Sequence, residues 1–139
     1  MISFSTINVK PLSGYVGAEI DGINLKKISK KQFQEIKIAF GEYGVIFFRN
    51  QSLSPQEEIT FAEYWGNINI NRFFSNLEGY PKIALVSKAP NEKKNIGGAW
   101  HTDHTYDLEP AMGSILFAHQ VPKNVADTMF SNMHAAHES

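Results

Sequence analysis

Apolar positions along the chain fall into short runs whose period changes from one stretch to the next. Ile2, Phe4, Ile7 and Val9 recur in the loose alternation of a strand. Gly14, Gly17 and Gly22 then punctuate a hairpin-like region in which Val16, Ala18 and Ile20 alternate onto one face. From Ser29 the period lengthens. Phe33, Ile36 and Phe40 lie three and four apart, Ser29 and Gln32 form a capping box, and Gly44 supplies a stop, so a helix is predicted. Val45–Phe48 is continuously apolar and short, as in a strand. Ser54-Pro55-Gln56-Glu57 opens a second helix, which Ile59, Ala62 and Trp65 carry to Gly66. Ile83–Val86 predicts a buried strand, and Ser87–Ala99, with Pro90, Gly97 and Gly98, a polar loop. Strands are predicted next at Trp100–Tyr106, Ser114–His119 and Thr128–Phe130, and Asn132 is placed to cap a helix over Met133–Glu138. No internal repeat or low-complexity segment interrupts this order.

Helices early and strands late define an α+β pattern. The last helix halts at Ser139 within its first turns, before it has buried a face. The expectation is therefore one domain truncated at its C-terminus. Residues 1–90 would give its N-terminal strands and helices, and residues 91–139 its first core strands.

Composition narrows the function classes. Hydrophobic residues make up 42% and charged residues 19%, with ten Phe, five Tyr and two Trp, which is material for a packed core. Net charge is −1 and no block of Lys or Arg runs beyond a pair, which argues against nucleic acid or an anionic membrane as partner. There is no cysteine, so a disulfide framework and a thiolate metal site are both excluded. Any metal must be held by His and carboxylates. No basic and then apolar leader opens the chain, and no apolar run approaches the ~20 residues that cross a bilayer. A cytoplasmic location is expected.

The stretch that carries chemistry is Gly97-Gly98-Ala99-Trp100-His101-Thr102-Asp103-His104-Thr105-Tyr106. On a strand, residues two apart share a face. His101 and Asp103 would project together, with one imidazole nitrogen and one carboxylate oxygen aimed at one ion. That is two thirds of a 2-His-1-carboxylate facial triad, which leaves positions open for dioxygen and a co-substrate. His-x-Asp alone is too short to be specific, and a surface strand with two unrelated polar side chains gives the same tripeptide.

The longer string Trp100-His101-Thr102-Asp103-His104-Thr105-Tyr106 resembles the iron-binding signature of the taurine dioxygenase family, Fe(II)- and 2-oxoglutarate-dependent dioxygenases. Further blocks are similar in the same order. They are Pro11–Ile20, Tyr43–Gln51, Glu109–Leu116 and Ala126–Phe130. Separate blocks in order are far more specific than one motif. The resemblance implies a double-stranded β-helix, the jelly-roll or cupin-like architecture with flanking helices, incomplete in this chain. It implies Fe(II), 2-oxoglutarate and dioxygen, and hydroxylation of a C–H bond in a small organic substrate coupled to decarboxylation of 2-oxoglutarate to succinate. His101 and Asp103 correspond to two iron ligands. Thr128 corresponds to the threonine whose hydroxyl helps hold the 2-oxoglutarate carboxylate. Val125-Ala126 stand where the family usually has Gly-Gly.

The second iron His and the 2-oxoglutarate Arg of the family lie much further along, so little or no activity is expected of this chain alone. His134 and His137, three apart on a predicted surface helix, and His119, on a predicted strand, are read as structural residues. Asn71 and Phe74 match positions where taurine-specific members carry a His and a Tyr, which argues against taurine itself. His104 and Tyr106 face or flank the substrate side, although Tyr106 equally suits packing against a sheet. An organosulfonate, a sulfate ester or a carboxylate would fit as substrate. Exposed strands of an incomplete jelly roll would favour self-association. A non-catalytic cupin-like metal-binding module and a zinc hydrolase with activated water are the alternatives, although no His-Glu-x-x-His is present.

Overall fold

The computed structural model describes residues 2–93, 96–121 and 127–139. Val125 and Ala126 lie outside the described residues. The elements in order are β1 (Asn8–Pro11), β2 (Ala18–Asp21), a 3-10 turn (Leu25–Lys27), α1 (Lys30–Tyr43), β3 (Ile46–Phe48), α2 (Pro55–Glu63), β4 (Asn76–Leu77), β5 (Tyr80–Ala84) and α3 (Met133–Glu138). They belong to two compact units. The first comprises the chain up to Leu53 together with 120–139, and the second comprises Ser54–His119.

In the first unit β2 lies between β1 and β3, antiparallel to one and parallel to the other. The parallel pair requires a crossover, and α1 supplies it. Its ends are fixed by the local signals in the sequence. The Ser29 hydroxyl accepts from Gln32 N–H at 3.2 Å and the Gln32 side chain accepts from Ser29 N–H at 2.9 Å. Gly44, at φ +68°, lets the chain leave the helix while its N–H donates to Phe40 O at 2.8 Å. Ala18 and Ile20 of β2 and Phe33, Ile36 and Ala39 of α1 are buried where the helix packs on the sheet, and Ile36 is fully enclosed.

The predicted strand over Ile2–Val9 begins only at Asn8. The reason is Glu35, a buried carboxylate on the inner face of α1. Its oxygens accept from Ser5 N and Oγ and from Thr6 N and Oγ1, at 2.7 to 3.1 Å. These N–H groups are taken by a side chain and so are withdrawn from a ladder. The Ser5 hydroxyl, with the backbone N–H of Thr6 and Ser5 and the Thr6 hydroxyl, outweighs burial and lowers the Glu35 pKa from 4.5 to about 2. A depressed folded-state pKa means that the unfolded chain binds the proton more readily. The stabilisation is therefore full above about pH 5 and is lost as pH falls from the ordinary carboxylate range toward 2. Glu35→Gln is expected to lower the melting temperature at pH 7 by several degrees and to flatten its decline between pH 5 and pH 2. Parallel acid limbs for the two proteins would show that Glu35 does not carry this dependence.

The C-terminal part of the first unit contains α3, predicted from Asn132. Asn132 Oδ1 accepts from Ala135 N–H at 3.1 Å, and its Nδ2 donates to Tyr15 O at 2.6 Å. The strand predicted at Thr128–Phe130 does not form. Phe130 instead meets the edge of Phe47, ring centres 6.2 Å apart.

In the second unit α2 begins with the expected capping box. Ser54 Oγ accepts from Glu57 N–H at 3.3 Å and Glu57 accepts from Ser54 N–H at 2.7 Å. The helix packs on a hairpin of β4 and β5, with Ile59, Phe61 and Ile83 buried. The strand expected at Ile83–Val86 runs earlier, over Tyr80–Ala84, because it pairs back across Gly79, at φ +78°. Burial pushes the Glu58 carboxyl of α2 upward, and the nearby His119 works against that shift.

The strands predicted at Trp100–Tyr106 and Ser114–His119 are absent. A strand exists only where a neighbour takes its N–H and C=O groups, and among the described residues no segment pairs with 100–119. The described residues therefore form an α+β arrangement of a three-stranded and a two-stranded sheet, without a closed double-stranded β-helix. Among them no helix is long and apolar enough to cross a membrane.

Candidate metal centre

His101 and Asp103 lie in the irregular segment of the second unit. Their side chains converge although no strand carries them. His101 Nε2 is 3.3 Å from Asp103 Oδ1. His101 Nδ1 is 2.8 Å from Ala99 O. A carbonyl oxygen only accepts, so Nδ1 carries the proton, and in the neutral ring Nε2 keeps its lone pair. This is the arrangement by which proteins orient metal-binding imidazoles, through a hydrogen bond at the other nitrogen. The carboxylate has a comparable tether, for Ser114 Oγ donates to Asp103 Oδ2 at 3.4 Å and leaves Oδ1 toward the imidazole.

The donor set can be tested against the metal. Two ligands at right angles on an ion, each ~2.1 Å away, lie ~3.0 Å apart. The 3.3 Å separation is close to that edge, and both side chains are more than half exposed, at 54% and 60%. One neutral nitrogen and one anionic oxygen suit a divalent first-row ion. Among the described residues no third His, Cys, Asp or Glu joins them. The centre, as far as the described residues build it, is a two-donor site open to solvent.

The backbone on either side is constrained. Gly97 has φ +64°, and a Cβ there would sit 3.1 Å from His101 Cε1 and 3.6 Å from Nε2. His104, directly after Asp103, is at φ 50°, a left-handed conformation uncommon outside glycine. The turn it starts is closed by Asp107 N–H donating to His104 O at 3.1 Å. Thr102 and Thr105 pair through their hydroxyls at 2.8 Å.

The other predicted site residues fall in different places. Asn71 Oδ1 accepts from the backbone N–H groups of Phe73 at 2.8 Å and Phe74 at 3.1 Å, so it shapes a turn with its oxygen. Phe74 is half-buried, and Tyr106 is exposed. His104 stacks at a tilt between Phe73 and Tyr106, with ring centres 5.7 and 5.6 Å away. Thr128 is exposed and belongs to the first unit. His134, also in the first unit, lies 3.3 Å from Glu138 on α3, and both are exposed. His119 is exposed beside the edge of Phe117. Gly97, Ser114 and Asp107 had no individual signal in the sequence. A Gly-Gly pair just before a metal motif is the one clue that points at Gly97.

The model of the taurine catabolism dioxygenase TauD, TfdA family matches residues 8–139, and the chain belongs to that family. The alpha-ketoglutarate-dependent sulfonate dioxygenase of Saccharomyces cerevisiae is 24% identical over 137 residues, which are 91% of this chain and 33% of that protein. The (S)-phenoxypropionate/alpha-ketoglutarate-dioxygenase of Sphingobium herbicidovorans is 27% identical over 135 residues, 95% of this chain and 47% of its own length. A solved taurine dioxygenase from Burkholderia xenovorans shares the fold with a TM-score of 0.64 and 31% identity, over 76% of this chain and 38% of that one. The family is one of enzymes, and these relatives' names make alpha-ketoglutarate, that is 2-oxoglutarate, the common co-substrate of the two matched by sequence. The chain spans a third to a half of the length of these curated relatives.

Proposed function

We propose that this chain is the N-terminal portion of an Fe(II)- and 2-oxoglutarate-dependent dioxygenase that hydroxylates a C–H bond of a small anionic organic substrate. The observation that carries the reading is the convergence of His101 Nε2 and Asp103 Oδ1 at 3.3 Å, in a chain that belongs to this family. In this reading His101 and Asp103 hold the iron, and Thr128 donates its hydroxyl to the 2-oxoglutarate carboxylate. The bound iron supplies dioxygen activation coupled to decarboxylation of 2-oxoglutarate. The protein's own residues supply orientation and leave coordination positions open. Ala99 O and Ser114 Oγ hold the two donors.

The rest of the domain would complete a jelly roll and bring a second iron His and a 2-oxoglutarate Arg. The exposed apolar side chains of Trp100, Leu108 and Leu116 support this, because an apolar stretch without partners marks a surface that covers another. An organosulfonate, a sulfate ester or a carboxylate is the substrate class. Taurine itself is disfavoured, because Asn71 and Phe74 offer neither an imidazole nor a phenol. In this reading Asn71, Phe74, His104 and Tyr106 face the substrate side.

The test is succinate formation. The complete protein with Fe(II), 2-oxoglutarate and dioxygen is expected to release succinate in step with hydroxylation of a member of one of these anion classes. This chain alone is expected to release little or none. Metal binding without 2-oxoglutarate turnover in the complete protein would favour a cupin-like binding module. Zinc-supported activity indifferent to oxygen would favour a hydrolase.

A further inference from the structure

A charged and aromatic cluster adjoins His101 and Asp103 in the sequence of the second unit, and of its members only His104 has a role in the proposed function. Asp107 is its centre. Asp107 Oδ1 accepts from Arg72 Nη2 at 2.8 Å, and Asp107 Oδ2 accepts from His104 Nδ1 at 3.2 Å. The Asp107 side chain is only 19% exposed and that of His104 25%. The Arg72 guanidinium also lies over the Phe73 ring, 5.2 Å from its centre, and Phe73 stacks on His104.

The placement of this cluster has a mechanical meaning. The left-handed residue His104 follows Asp103 directly and opens the turn that carries the chain away from that carboxylate. A non-glycine residue is held in that conformation only when its surroundings fix it. Asp107 fixes it twice, since its N–H closes the turn on His104 O and its carboxylate grips the His104 ring. Arg72 then holds the far side of that carboxylate from the turn that Asn71 shapes.

We propose that Asp107, anchored by Arg72, is a positioning residue for the metal-binding carboxylate of Asp103. It acts by holding the turn His104–Asp107 and touches neither metal nor substrate. The proposal rests on the metal role given above to His101 and Asp103. Because Asn71 and Arg72 are neighbours, it also couples the substrate-side turn to the metal pair. An ordinary surface ion pair contributes little and would do none of this.

The test is a titration of this chain with Mn(II), followed by the EPR signal of the free ion. The proteins are the wild type, Asp107→Ala, Arg72→Ala and the double variant. Far-UV circular dichroism and melting curves establish that each is folded. Asp107→Ala is expected to weaken Mn(II) binding about tenfold, in the range found when partners of metal ligands are removed. Arg72→Ala is expected to weaken it about threefold, since the His104 contact remains. The double variant should bind no more weakly than Asp107→Ala, because Arg72 acts through Asp107. If alanine lowers the melting point into the working range, Asp107→Asn, which keeps the shape and removes the charge, is expected to show the threefold loss of Arg72→Ala.

Amide exchange of residues 103–107 in the metal-free proteins provides a second readout and should quicken in Asp107→Ala. Wild-type binding matched by unchanged affinity in Asp107→Ala overturns the proposal while the metal reading survives. Additive losses in the double variant overturn the route through Asp107. If the wild type binds no Mn(II), the metal reading fails, and with it the positioning role toward a metal. Quickened exchange would then establish only that Asp107 holds the turn.

Discussion

Alanine at His101 is expected to reduce Mn(II) binding by this chain on the order of a hundredfold, to the level of adventitious carboxylates. The reason lies in the donor count. The described residues offer one imidazole nitrogen and one carboxylate oxygen, with no third titratable donor beside them. Removing the imidazole leaves an exposed monodentate carboxylate, which competes poorly with water for a divalent ion. Asp103→Ala should be equally damaging from the other side. The readout that suits a weak site is paramagnetic broadening, with the amides of residues 97–107 disappearing first as Mn(II) is added to labelled protein. His134→Ala and His137→Ala are the controls. Both residues are exposed on α3, and His134 already has Glu138 at 3.3 Å. Unchanged broadening around residue 101 in His101→Ala, or loss of binding in either α3 variant, would move the metal site elsewhere.

The convergence of His101 and Asp103 was legible in the sequence, and the reason differs from the one the pattern suggested. A strand was expected to put positions 101 and 103 on one face. The structure has no strand there, yet two residues separated by one intervening position in this irregular segment still approach closely. The helices were legible for a more secure reason. Ser29 with Gln32 and Ser54 with Glu57 act within a single turn, so their caps depend on nothing distant. Strands are relations between segments. Trp100–Tyr106 and Ser114–His119 have the composition of strands and no partner among the described residues, whereas Asn76 and Leu77, where no strand is predicted, form one because β5 pairs with them.

Glu35 was unreadable by the same logic. A Glu between Phe33 and Ile36 on a helix reads as an edge of the polar face. Only the approach of Ser5 and Thr6, some thirty positions away, makes a buried, paired carboxylate of it. The supports of the metal pair are equally nonlocal. Ser114 reaches Asp103 across eleven positions and Arg72 reaches Asp107 across thirty-five. No periodicity announces such contacts, and this is why the proximity of His101 and Asp103 was visible and its tethers were not.

Gly97→Ala is expected to weaken Mn(II) binding by about tenfold or more while leaving most of the melting temperature intact. Two effects combine. At φ +64° an alanine pays roughly 1 kcal/mol for a conformation that glycine adopts freely. Its Cβ would also lie 3.1 Å from His101 Cε1, tighter than ordinary van der Waals contact, so something must shift. The ring is the part able to shift, because its side chain is 54% exposed. With Nδ1 held to Ala99 O at 2.8 Å, a shift of the ring swings Nε2 and disturbs its 3.3 Å approach to Asp103 Oδ1. The damage is therefore directed at the donor atom and spares the core of the second unit, where Ile59, Phe61 and Ile83 are buried. Gly97→Asn separates the two effects. Asparagine tolerates the left-handed region and relieves much of the strain, but it keeps the Cβ. Its affinity should fall nearly as far as alanine's if crowding of the ring dominates, and should recover toward wild type if backbone strain dominates. Wild-type affinity in both variants would mean that the His101 ring does not rest against Gly97, and the account of how this loop aims its imidazole would have to be abandoned.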